Sequence, residues 1–216
     1  MNLSPSPHDR TGTSLFAALK AGTADLHRQV EGVFPLLHPG LTVAAYHQHL
    51  RRVLGLHQSV EERLIAFQSQ SGLCFPHVET RKSQWLISDL LALGDTIETI
   101  EDIARLTLRI PPICTREQFV GTSYVIEGSM LGGQVIHRVL RAKLELPDSQ
   151  MRFYTGYRDD TFTNWKSFQV AGEALISPAG YGAATAQARE IFQIVLECFS
   201  CADGRRGQYP NGARGS

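Results

Sequence analysis

The sequence predicts an all-α protein folded as one domain, and three observations carry that prediction. Apolar residues recur at three- and four-residue intervals along most of the chain. No stretch alternates with the period of two that a half-buried strand would show. Glycine, proline and capping hydroxyls interrupt the helical pattern at distances of a helix's length. The 216 residues suit a single domain. A chain of that size buries roughly 70% of its unfolded surface and needs no metal or disulfide staple. At 43% hydrophobic and 19% charged, the composition is that of a soluble globular protein and excludes a disordered chain.

The first helix is predicted to begin after Thr13 or Ser14, whose hydroxyls can accept from free N–H groups, and to reach about Glu31. Leu15, Leu19, Leu26 and Val30 mark its apolar face; Gly32 and the stretch 35–40 end it. A second helix starts near Thr42 and continues through Ile65 or Phe67, with Tyr46, Leu50, Val53, Leu54, His57 and Val60 on one broad face. Shorter helices are expected over 79–93, stopped by Gly94, and over 97–106, before Pro111-Pro112. A long fifth helix spans 115–144, with Pro147 just beyond, and two more cover 163–175 and 183–201. Residues 1–13 read as a flexible lead-in and 14–202 as the helical domain. The Gly-rich 203–216 read as a disordered tail.

Charge narrows the partners. Lys plus Arg number 21, as do Asp plus Glu, and runs such as Arg51-Arg52 and Arg205-Arg206 are too short for a phosphate-binding stripe. Nucleic acid is therefore not expected. A small anion held by two or three cations remains compatible with neutrality. The start, MNLSPSPHDRTGTS, lacks a charged segment followed by an apolar one, so no secretory signal is expected. Apolar stretches such as LISDLLALG fall short of the roughly 20 residues that cross a bilayer, so no membrane insertion is expected either. The cytoplasm is the expected compartment. Cys198 and Cys201 have the spacing of a redox pair or half a zinc site, but nothing completes a metal set. They read as incidental thiols at a helix end, with redox or metal work as the alternative; Cys74 and Cys114 add no motif.

Two segments carry chemistry. In the first helix Lys20 and His27 stand seven residues apart, and His27 and Glu31 four, so all three lie near one face. One imidazole nitrogen can bind a metal or haem iron while the other donates to a carboxylate, which fixes the tautomer. The bland reading is a half-buried histidine with a surface ion pair. In the fifth helix GSMLGGQ, residues 128–134, places three glycines where alanine would be more favourable by about 2–3 kcal/mol in total. No phosphate-loop signature accompanies them. Such a segment serves either tight helix packing or a kinked helix facing a flat ligand. Together the segments suggest a flat cofactor between the two helices. Haem fits, since its iron takes an axial imidazole and its propionates take cations.

At these residues the chain resembles the bacterial haem oxygenases, especially those that supply biliverdin to bacteriophytochromes. LKAGTADLHRQVEG, residues 19–32, resembles the family's proximal helix, and FVGTSYVIEGSMLGGQVIHRVLRAKL, residues 119–144, its distal helix. A weaker block, FTNWKSF, residues 162–168, resembles the segment at the propionate edge. The resemblance implies haem b held between the first (proximal) and a kinked Gly-rich (distal) helix of a multi-helical single domain. It implies His27 as the iron ligand, Glu31 as the carboxylate at that histidine, and Lys20 and Lys166 as propionate cations. Gly128, Gly132 and Gly133 would line the distal face. Ser129 stands where animal-type members have an aspartate, so no acidic side chain is assigned to order distal water; Glu127 is not taken as a catalytic acid.

The activity so implied is oxidative opening of haem to biliverdin, ferrous iron and carbon monoxide. Dioxygen and an electron donor such as a ferredoxin, flavodoxin or reductase would be consumed, and a bacteriophytochrome would receive the biliverdin. The attack would fall on the alpha meso carbon. Two alternatives stand beside it: a haem-binding or storage protein on the same fold, and a helical interaction protein without the pocket. Of the remaining histidines, His137 could approach the distal face or lie aside from it. His47, His49 and His57 carry no carboxylate at metal-binding spacing, and His8, His38 and His77 fall in loop-like context.

Overall fold

Local chemistry starts the helices where capping hydroxyls predict them. The Ser14 hydroxyl accepts from the Ala17 N–H, Thr42 from Ala45, and Thr115 from Gln118, with the Gln118 side chain reaching back to the Thr115 N–H. The computed structural model describes residues 13–76, 81–105 and 108–200. Over these the chain forms α1 (Leu15–Val33), α2 (Val43–Ser71), α3 (Lys82–Ala92), α4 (Ile97–Arg105), α5 (Arg116–Leu144), α6 (Arg152–Thr155), α7 (Thr161–Leu175) and α8 (Tyr181–Ser200), with short 3-10 turns between some of them. Among the described residues there is no strand. No described helix is long and apolar enough to cross a membrane. The expected lead-in up to residue 12, the tail 203–216, His8, His77 and Cys201 lie outside the described residues.

Boundaries shift from the expectations in instructive ways. α2 runs on to Ser71, where Gly72 takes a left-handed φ of 66° and stops it. α3 begins at Lys82, and α7 and α8 each begin two residues before the predicted start. α6 was not anticipated at all. Its start is held from a distance: the Asp89 carboxylate on α3 accepts from the N–H groups of Arg152, at 2.6 Å, and Phe153, at 2.9 Å. α5 is helical without a break through Gly128, Gly132 and Gly133, so the expected kink does not interrupt the helix.

One hydrophobic core runs through the molecule, and Tyr46, Phe119, Phe168, Leu54 and Leu86 lie fully buried in it. α8 packs against both α1 and α5; α2 packs against α3, α4 and α5; α6 joins α3 to α5. The two helices that carry the chemical motifs are therefore seated on a third.

Candidate functional site

α1 is seated on α8 by a series of contacts that climbs both helices together, so the two run parallel. At Gly22 a Cβ would lie 2.4 Å from Thr185 Cγ2, so the helices touch there with only hydrogen between. The Arg189 guanidinium donates to the Gly22 carbonyl at 2.6 Å and to both Asp25 oxygens at 2.7 and 2.9 Å. These bonds hold the Asp25 carboxyl down to about 2. Further along, the His27 ring stands edge-on to Phe192, 5.9 Å between centroids. α5 meets the same part of α8. A Cβ at Gly121 would lie 2.2 Å from the Ala184 carbonyl oxygen, and the Gln187 amide donates to the Thr122 hydroxyl at 3.2 Å.

α1 and α5 also touch directly, through Tyr124. Its ring lies 6.1 Å from Phe16, and its hydroxyl lies near the Thr23 side chain, whose own proton goes to the Leu19 carbonyl at 2.8 Å. Burial raises the Tyr124 phenol above its ordinary range, against the opposing influence of the nearby Thr23 hydroxyl. One turn beyond this contact in each helix come His27 and Gly128. The first is open to solvent: the His27 side chain is 59% exposed, with Nδ1 3.4 Å from Glu31 Oε1. A carboxylate at Nδ1 favours the proton there and leaves Nε2, across the ring, with its lone pair. Lys20 stands exposed two turns earlier on α1. Lys166 of α7 lies over the Phe162 ring, 5.5 Å from its centroid, on a cleft of about 520 Å³ shared with Ser14 and Phe16.

The three α5 glycines separate by what they face. A Cβ at Gly128 would touch the edge of Trp165 at 3.8 Å; at Gly132 it would meet nothing within 4 Å. Leu131 and Val135, beside Gly132, are exposed although apolar. Gly133 is different. A Cβ there would lie 3.3 Å from the Tyr154 carbonyl oxygen, so this glycine allows α5 to approach α6. The Ser129 hydroxyl donates to the Ile126 carbonyl at 2.7 Å within its own helix.

Other side chains resolve differently from the sequence reading. The absence of paired carboxylates on the α2 histidines is corrected: His57 Nδ1 lies 3.6 Å from Glu61 Oε1, one turn on, and His47 Nε2 lies 3.0 Å from Asp95. His49 is buried against the Tyr154 hydroxyl at 2.5 Å, and burial, with Arg52 adding to it, lowers its pKa to about 3. His137 sits 3.3 Å from Asp148, at the end of the chain segment that follows α5. Glu127 turns to Lys82 on α3, 2.6 Å away, and this pair was missed because its partners are 45 residues apart. Tyr124 and Thr23 were missed as well; each reads as ordinary helix filler until the helices are placed. Among the described residues no three His, Cys, Asp or Glu side chains converge as a metal site.

Comparison with known proteins bears on the family and the fold. The Heme oxygenase family model matches residues 13–200. A curated relative, "Heme oxygenase" from Xanthomonas campestris pv. campestris (strain 8004), is 29% identical over 154 residues, which cover 71% of this chain and 85% of the relative. Three solved structures share the fold. The heme oxygenase of Neisseria meningitidis, solved with NO and CO bound, has a TM-score of 0.68 at 22% identity, covering 94% of this chain and 99% of its own. That of Leptospira interrogans has a TM-score of 0.65 at 21% identity, covering 87% and 98%. Heme oxygenase-1 of Synechocystis sp. PCC6803, in complex with heme, has a TM-score of 0.66 at 19% identity, covering 88% and 92%. Since the family model spans nearly the whole described chain, this protein belongs to the haem oxygenase family.

Proposed function

We propose that this chain opens haem oxidatively to biliverdin, ferrous iron and carbon monoxide. A cytoplasmic ferredoxin, flavodoxin or reductase supplies electrons, and a bacteriophytochrome takes the biliverdin. The observation that carries the reading is the pairing of an exposed His27, oriented by Glu31, with the open surface at Gly132, each beyond the Thr23–Tyr124 contact that joins α1 to α5. The residues present fit haem b: one exposed imidazole, an apolar surface without side-chain bulk, and cations on α1 and α7. Haem, when bound, supplies the iron that activates dioxygen and the meso carbon that is oxidised.

Each residue then has a defined task. Glu31, whose Oε1 lies 3.4 Å from His27 Nδ1, would favour the ring proton on that nitrogen and leave Nε2 for the iron. Lys20 on α1 and Lys166 on α7 pair with the propionates and so set which meso carbon, alpha in this reading, faces the distal helix. Gly128 and Gly132, lacking side chains, would leave room for a flat ring against the α5 backbone. Ser129 presents only an acceptor oxygen, because its proton is held by Ile126. With no distal carboxylate, protons are passed by ordered water and backbone groups.

The test is a haem titration followed by turnover. Ferric haem is expected to bind one to one, and His27→Ala to lose the histidine-ligated spectrum and most biliverdin formation. An unchanged spectrum in that variant would sink the ligand assignment. Reductant, oxygen and chromatography of the product then decide the activity: an intact ring under sustained reduction indicates a haem carrier, and no stoichiometric binding indicates an interaction protein.

A further inference from the structure

A buried ion pair lies directly behind the first distal glycine. Lys82 of α3 donates from Nζ to Glu127 Oε1 at 2.6 Å, and the two residues are 2% and 6% exposed. Tyr157 donates its hydroxyl to the other Glu127 oxygen at 3.3 Å and lies 5.5 Å, ring centroid to Nζ, from Lys82. Trp85, also on α3, packs edge-on against the Tyr157 ring at 5.3 Å. Burial pushes the Lys82 pKa down, yet the Glu127 carboxylate and the Tyr157 phenol outweigh it and leave it raised. Lys82 therefore stays an ammonium.

Stability is a poor reason for such a pair. Withdrawing two charges from water costs about what their attraction returns, and apolar replacements of similar volume are often neutral or better. The best-attested use of a buried polar contact is to impose one register among several packings. On the face of α5 that carries Gly128 and Gly132, the glycines have no side chain to add to that register. Past Glu127, a Cβ at Gly128 would meet only the edge of Trp165 and one at Gly132 nothing within 4 Å, so on this face the rotation rests on Glu127 together with the buried Met130 and the Gly133–Tyr154 approach on the other side. Glu127 immediately precedes Gly128 and stands five residues before Gly132.

We infer that Lys82, acting through Glu127, is a positioning residue that holds α5 in the rotational setting that turns Gly128 and Gly132 toward the haem slot. The inference rests on the haem reading above. Neither side chain enters the chemistry; the pair sets where the glycine surface stands.

The double variant Lys82→Met/Glu127→Leu removes both charges and keeps the volume. Its haem-free form is expected to unfold at the wild-type urea midpoint. Its affinity for ferric haem is expected to fall about tenfold. The proton spectrum of its cyanide-ligated haem complex is expected to show additional haem methyl resonances that wild type lacks. A double variant with wild-type affinity and wild-type resonances overturns the inference. So does one that no longer folds, since the pair would then act in stability. Wild-type protein that binds no haem overturns the underlying reading, and this inference with it, which separates the two failures.

Discussion

A methyl group added at Gly132 would enter open space, whereas at Gly133 it would press within 3.3 Å of the Tyr154 carbonyl oxygen. The two adjacent residues should therefore respond oppositely to alanine. Gly132→Ala gains helix propensity without a clash, so the haem-free protein should become more stable by about 0.5–1 kcal/mol. The same methyl occupies the surface proposed for haem, so affinity for ferric haem should drop. Gly133→Ala should lose stability, because backbone on both sides must shift. Urea unfolding of the haem-free proteins and haem titration check both signs, and a stabilised Gly133→Ala would refute the packing role. In the sequence the motif GSMLGGQ shows that α5 tolerates missing side chains for some purpose. Which glycine serves which neighbour is a matter of helix azimuth relative to α6 and α7, and nothing within seven residues specifies that.

At the scale of elements, α8 emerges as the part that sets the distance between the two motif-bearing helices. Gly22 lets α1 touch Thr185, Gly121 lets α5 touch the Ala184 carbonyl, and Arg189 fastens α1 through Asp25. Gly121→Ala meets backbone, which cannot move aside, and should cost roughly 1–3 kcal/mol in urea unfolding. Gly22→Ala meets only a side-chain methyl, so Gly22→Ala/Thr185→Ser should recover most of what the single variant loses. Equal losses in the single and double variants would show that the contact is not the cause. Helix starts were legible because their caps are local: Ser14, Thr42 and Thr115 each act on an N–H three residues on. The same holds for His27 and Glu31, one turn apart on α1. α6 and the Lys82–Glu127 pair were not legible, since the residues that stabilise them lie on α3, far away in sequence. Local pattern predicts where helices are; remote partners decide the short elements and the buried charges.

The whole molecule carries no formal net charge at pH 7 and turns positive in acid as its histidines and then its carboxylates take up protons, so groups whose pKa differs between folded and unfolded chain act on top of a growing general repulsion. His49 is the clearest of these. It is 1% exposed, stacked on Phe199 at 5.2 Å, edge-on to Phe34, and in contact with the Tyr154 hydroxyl, so it ties α2 to α6, α8 and the turn after α1. Burial holds its folded pKa at about 3, while in an unfolded chain it titrates near 6.5. Between those values the unfolded chain binds the proton and the folded one does not. His49 therefore makes stability rise with pH across this window and fall below about 6.5, at up to about 1.4 kcal/mol per pH unit, while Asp89, whose carboxyl burial pushes up to about 7, acts with the opposite sign over the same range. The carboxyls of Asp25, Asp95 and Glu61, all lowered, side with His49 and add losses as pH falls through their own ranges. A non-titrating replacement isolates the histidine. His49→Gln keeps an acceptor for Tyr154 but takes up no proton. Urea unfolding at several pH values from neutrality down to pH 4 should show wild type losing stability faster than the variant, with the gap widening only below the imidazole's unfolded pKa. Parallel pH profiles would mean that His49 is protonated in the folded protein, and that the contact with Tyr154 opens to let the proton in.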